Sequence, residues 1–299
     1  MFVPPRVSIV EVGPRDGLQN EAARIETADK IAYINALSHA GAPVIEVTAF
    51  VSPKWIPQMA DADVVYRGIT RREGTRYTAL VPNLAGLSRA QGAGVTEIAI
   101  FASASETFSR RNINQSIDES LETYRRVCAR ALEAGMRVRA YLSTAFGCPF
   151  EGDVPAARVA TIAGALIAMG AFEVAISDTI GVAHPGQVPP IVEAVGAHVP
   201  LDRIALHFHD TRGTALANVL AALDLGVTTF DASAGGLGGC PYAPGAAGNL
   251  ATEDLIYMLD GLGVETGIAL GAVVEASRFM ESRVGHQLPS RYLQAVGRK

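Results

Sequence analysis

The chain has 299 residues, 49% of them hydrophobic and 18% charged, with a formal net charge of −5. That is apolar material enough for a substantial core, while no run of Lys or Arg forms the stripe of a nucleic-acid surface and no apolar stretch reaches the length of a membrane span. Three cysteines (Cys128, Cys148 and Cys240) fit no disulfide framework or zinc-ribbon spacing, so a reducing, cytoplasmic setting is expected.

The opening segment runs directly into VSIVEV (7–12), a β-branched apolar run that reads as a strand rather than as a secretion signal. Similar runs follow: VIEVTAF (44–50), YTALV (77–81), EIAIFA (97–102), RVRAYLS (137–143), EVAISD (173–178), RIALHFHD (203–210) and TTFDASA (228–234), eight in all. Helical patterns lie between them. In TADKIAYINALSHAG, Ile31, Ile34 and Leu37 recur at helical spacing and Gly41 ends the run. SIDESLETYRRVCARALEAG opens with Ser116 and Glu119 at capping-box spacing. Short returns containing Gly, such as HAGAP, GAGVTE and DLGVT, lead from helix to next strand and imply a parallel sheet. Eight such units predict an α/β fold, a (β/α)8 TIM barrel forming one catalytic domain over 1–299. A helical C-terminal appendage is expected over about 264–299, covering a barrel end or an oligomer interface. The alternative, an open doubly wound sheet, lacks a GxGxxG after its first strand.

Barrel active sites gather where strands end. The first strand ends in Gly13-Pro14-Arg15-Asp16-Gly17, a shaped turn that presents a cation and a carboxylate; its bland reading is an ordinary charged turn. Glu46 lies inside an apolar strand, where an acid needs a partner. Arg15 is the simplest one, whether the pair is structural or holds Arg15 for chemistry. Trp55 and Met59 are expected to pack in or line the loop after the second strand. Asp178 ends the sixth strand, as a cap of the next turn or as an acid/base group facing the mouth. His207 and His209 alternate with Leu206 and Phe208, so both imidazoles share one strand face. Strand histidines are often rim residues, but two of them with Asp16 make a donor set for Mg2+, Mn2+, Co2+ or Zn2+. The glycine-dense segment from Gly235 carries Cys240 as a spacer or a reactive thiol on a lid, and Asn249 as a neutral oxygen donor.

The stretches VEVGPRDGLQNE, IEVTAFVSPKWIPQM, SDTIGV, HFHDT and GLGGCPYAPGAAGNLATED resemble those of 3-hydroxy-3-methylglutaryl-CoA lyases, members of the DRE-TIM metallolyases. The likeness runs in order from about Val7 to about Gly263. It implies a (β/α)8 barrel, an acyl-CoA substrate and a divalent metal, Mg2+ or Mn2+, held by Asp16, His207, His209 and Asn249. It also implies Arg15 as the stabiliser of a developing oxyanion, a catalytic role for Cys240, supporting roles for Glu46 and Asp178, and possible homodimers. Arg212 in HDTRG and Ala22 after QNE depart from the pattern of the animal lyases without touching a ligand position.

Overall fold

Strands that are apolar on both faces must be covered on both. In the computed structural model, which describes residues 2–239 and 248–297, eight parallel strands close into a barrel in chain order. They are β1 (Ser8–Glu11), β2 (Val44–Ala49), β3 (Arg76–Leu80), β4 (Glu97–Ser103), β5 (Arg137–Ser143), β6 (Glu173–Asp178), β7 (Ile204–Phe208) and β8 (Thr229–Ala232). Pairing of β1 with β8 closes the ring, with Ser8 opposite Thr229 and Glu11 opposite Ala232. The helices are α1 (Thr27–His39), α2 (Ala62–Gly68), α3 (Leu84–Gly92), α4 (Glu106–Ile113), α5 (Ile117–Glu133), α6 (Ala156–Ala168), α7 (Val188–Gly196), α8 (Ala215–Asp224), α9 (Thr252–Gly261), α10 (Leu270–Val284) and α11 (Arg291–Ala295). The predicted capping box forms in full: the Ser116 hydroxyl accepts from Glu119 N, and the Glu119 carboxylate accepts from Ser116 N.

Alternation along each strand separates two environments. In β5, Val138, Ala140 and Leu142 are buried in the main apolar core. Arg139 and Tyr141, of opposite parity, point into the barrel and reach side chains of β8 and β2. The interior is therefore partly ionic.

Two strands end two residues short of the sequence expectation. β7 stops at Phe208, and His209 instead forms a lone bridge with Asn249. β8 stops at Ala232, because the chain bends into a short turn, Ala234–Gly236, where Gly235 has φ of 74°. The C-terminal helices pack against α1, α9 and this turn. Ser290 N donates to Gly235 O (3.0 Å). Met59 is buried as expected, whereas Trp55 is 83% exposed. No described helix is long and apolar enough to cross a membrane.

Two buried acids hold the turns that follow β1 and β8. Glu11 accepts from Gly13 N (2.8 Å), Ala234 N (2.9 Å) and the Thr252 hydroxyl (2.7 Å). Glu253 accepts from Gly235 N (2.9 Å) and the Ser277 hydroxyl. Burial raises both carboxyls from 4.5 to about 7, against the pull of these hydrogen bonds. Between those values the native state binds more protons than the unfolded chain, so both acids make stability fall as pH rises through that window. In Glu253→Gln, Tm should therefore decline less between pH 5 and pH 8 than in the parent chain. Scanning calorimetry checks this, and an unchanged decline would exclude Glu253 as one of its sources.

Candidate active site and metal centre

Pro14 cannot continue a strand, and the chain leaves β1 in a single π-helical turn, Gly13–Gly17. Asp16 N and Gly17 N both donate to Val12 O (2.8 and 3.1 Å). The turn brings Arg15 and Asp16 to the barrel mouth. There the Arg15 Nε donates to Glu46 Oε1, and its Nη1 meets Asp16 Oδ1 at 2.6 Å. Tyr141 donates to the other Glu46 oxygen (2.9 Å), with its ring 5.5 Å from the Arg15 guanidinium carbon. Glu46 is fully buried, so the pairing that its strand context demanded is present.

His207 and His209 stand side by side, ring centroids 5.2 Å apart. His207 Nε2 lies 4.0 Å from Asp16 Oδ2, and its Nδ1 lies 3.1 Å from Asp231 Oδ2. One donor atom from each of Asp16, His207 and His209 falls within 4.8 Å of the others, a group that can hold a metal ion. Asn249 joins them because 248–250 runs beside the end of β7, with Asp210 N donating to Gly248 O and Leu250 N to Phe208 O. A side chain at Gly248 would put its Cβ 2.0 Å from Gly238 O, so only glycine permits this approach. Asn249 Nδ2 donates to Asp16 Oδ2 (2.9 Å) and Leu237 O (3.0 Å).

The electrostatics suit a cation. Burial opposes ionisation of Asp16, but Arg15 and the two histidines outweigh it and hold the carboxyl well below the usual range. Burial, followed by the neighbouring His207, lowers His209 to about 4, which leaves a neutral imidazole at neutral pH. Burial pushes Glu46 up, opposed by Arg15. Four carboxylates (Asp16, Glu46, Asp231 and Glu173) share two guanidinium groups (Arg15 and Arg139), a formal charge of −2 inside the barrel and its mouth. Asn249 Oδ1 and His209 Nδ1 are buried without a hydrogen-bond partner, a state that costs free energy unless something accepts their lone pairs. A divalent cation at this mouth answers both the charge and the orphaned donors.

The HMGL-like family model matches residues 6–280. The chain belongs to the HMGL-like family. It is 53% identical to a hydroxymethylglutaryl-CoA lyase of Bacillus subtilis, YngG, over 294 residues that cover 98% of each protein. It is 50% identical over 296 residues (99% of each) to the 3-hydroxy-3-isohexenylglutaryl-CoA/hydroxymethylglutaryl-CoA lyase of Pseudomonas aeruginosa. A crystal structure of the B. subtilis HMG-CoA lyase superposes with a TM-score of 0.98 at 52% identity, covering both chains completely.

In this HMGL-like chain the structure brings together Arg15, Asp16, Glu46, His207, His209 and Asn249. Asp178 divides its roles. Its two oxygens accept from Val182 N (2.9 Å) and Ala183 N (3.0 Å), which makes it the cap of the turn after β6. Burial nevertheless raises it to about 6, with His207 close enough to pull it back. Cys240 lies outside the described residues. Arg212, which departs from the animal pattern, donates to Ile180 O and Gly181 O and ties the β6 turn to that of β7. Sequence reasoning missed Arg139, Tyr141 and Asp231, although the argument that singled out Glu46 applies equally to a charge inside RVRAYLS or TTFDASA.

Adding Mg2+ or Mn2+ to chelator-treated protein should raise its stability, by about 2.7 kcal/mol when free metal is one hundred times Kd. Asp16→Asn should abolish that gain. A melting temperature indifferent to both ions would argue against a metal centre here.

Proposed function

We propose that this chain is a carbon–carbon lyase that uses Mg2+ or Mn2+ to cleave 3-hydroxy-3-methylglutaryl-CoA into acetyl-CoA and acetoacetate. The observation that carries the reading is the cluster of Asp16, His207 and His209 donor atoms at the strand ends, with a charged guanidinium hydrogen-bonded to that aspartate. The family membership and the names of its relatives support it.

Cleavage requires loss of the proton on the tertiary hydroxyl, breakage of the C2–C3 bond and delivery of its electron pair to the thioester side. The hydroxyl carbon becomes the ketone of acetoacetate, and the other fragment is the enolate of acetyl-CoA, which takes up a proton at carbon. A bound divalent ion would supply Lewis acidity toward the substrate's oxygens, held by Asp16, His207, His209 and Asn249. Arg15 is assigned to the enolate oxygen. Burial works against its charge, but Glu46 and Asp16 keep it protonated, and a fixed donor needs no reorganisation as charge develops. Glu46 and Tyr141 keep the guanidinium in place. His207 would spend its Nε2 lone pair on the cation and turns Nδ1 to Asp231, so the base for the hydroxyl proton is assigned to Asp178, which burial raises to about 6 beside His207. Cys240 is assigned delivery of a proton to the enolate carbon. Excluding water protects that carbanion equivalent. The cytoplasm is the proposed compartment and a homodimer the proposed assembly.

The P. aeruginosa relative acts on two acyl groups and is nearly as similar as the B. subtilis lyase. Overall identity therefore does not separate a methyl from a longer substituent. Steady-state kinetics on the methyl substrate beside an isohexenyl analogue decides this, and no cleavage of either in Mg2+ or Mn2+ would refute the lyase reading. Arg15→Lys keeps the charge but loses the planar fork. Its kcat should fall by about 10²–10³ or more, as when a fixed oxyanion donor is removed, while metal content stays at the parent level. Near-parental turnover would take Arg15 out of the chemistry.

A further inference from the structure

His207 offers two nitrogens, and only one can carry the proton in a neutral ring. Its Nδ1 faces Asp231 Oδ2 at 3.1 Å. Asp231 is in turn gripped from the far side: Arg139 Nη2 donates to Oδ1 at 2.7 Å and Nη1 to Oδ2 at 3.2 Å. Arg139 Nε donates to Glu173 Oε1 at 2.6 Å. Asp231 is 2% exposed and Arg139 1%. With Arg139, Asp231 forms a two-point ion pair in which its carboxylate is the acceptor. An ionised carboxylate accepts and cannot donate, so the hydrogen on the shared line belongs to the ring. Tyr141 limits rotation of the imidazole, meeting it edge-on at 6.1 Å, and stacks on Arg139 at 4.9 Å.

We propose that Asp231, clamped by Arg139 and Glu173, is a positioning residue that locks His207 in its Nδ1–H tautomer and thereby turns the Nε2 lone pair toward Asp16. Asp231 touches no reacting atom; it acts through His207. The inference rests on the metal-site reading given above but reaches further down the barrel, to three side chains outside the mouth. A carboxylate behind a metal-binding imidazole fixes ring orientation and strengthens the donor, and losing one typically costs 10–100-fold in metal affinity.

Asp231→Asn is the informative substitution. Arg139 Nη2 still requires an acceptor at Oδ1, so the amide would turn its NH2 group toward His207. That donor forces the ring proton to Nε2 and removes the lone pair from the mouth. Two readouts test this independently of turnover. Long-range nitrogen–proton correlation NMR on the Mg2+-loaded parent protein should show His207 protonated at Nδ1 and not at Nε2. Calorimetric titration of Mg2+ should show affinity reduced about 10–100-fold in Asp231→Asn, with the Nε2–H signal appearing in the metal-free variant. A proton on Nε2 in the parent protein, or parental Mg2+ affinity in a folded Asp231→Asn, overturns the proposal. Should the variant fail to fold, the spectrum of the metal-free parent with its ring neutral decides, because no cation then dictates the tautomer: a proton on Nε2 there overturns the proposal. Failure to cleave an acyl-CoA would sink the lyase reading without touching this one.

Discussion

The barrel of this protein is organised around a buried ionic column that is short of positive charge. From the strand starts to the mouth it runs Glu173, Arg139, Asp231 and His207, and beside it Asp16, Arg15 and Glu46. Ions inside a protein persist only where partners replace the water they lose, and breaking one buried pair costs about 3–5 kcal/mol. Here the partners are supplied in sequence, each charge meeting the next at hydrogen-bonding distance. The remaining deficit falls at the mouth, where Asp16 and two imidazoles converge. A cation there completes an arrangement the protein has already half built.

The column explains why guanidinium groups occupy both cationic positions. Arg15 must satisfy Glu46 and Asp16 at once, and Arg139 must satisfy Glu173 through Nε while gripping Asp231 with two further nitrogens. A planar fork does this with fixed geometry, whereas an ammonium group is a point charge on a flexible stem. Tyr141 stands between the two, its ring within cation–π distance of each. The same tyrosine donates to Glu46 and borders His207, so one side chain braces both branches.

Much of this was legible in the sequence because it is periodic. Eight β-branched runs and the Gly-containing returns between them specify the parallel barrel, and strand alternation places His207 and His209 on one face. Glu46 stood out as an acid in an apolar strand. The same logic flags Arg139 and Asp231 as charges inside apolar strands but not as each other's partners, because their contact spans 92 residues. Asp178 is instructive in another way. It has the parity opposite to that of Glu173, whose carboxylate meets Arg139 inside the barrel, so alternation alone assigns it to the turn rather than to the barrel axis. Glu253 carries no local signal, because its role depends on the Ser277 hydroxyl of α10 and the turn after β8 that fold onto it.

The site also reports on closure of the whole chain. Asp16 follows the first strand and Asn249 the last, yet Asn249 Nδ2 reaches Asp16 Oδ2 at 2.9 Å across 233 residues. Glu11 and Thr252 join the same two regions across 241 residues. Both contacts lie across the β1–β8 seam, the longest-range pairing in the sheet and the one that makes a barrel of a strip. A ligand that engages residues from both sides binds the closed barrel and not the open strip, so its binding free energy adds to the stability of closure. The mouth chemistry and the closure of the barrel therefore depend on the same contacts, with Glu11 holding the backbone on both sides of the seam.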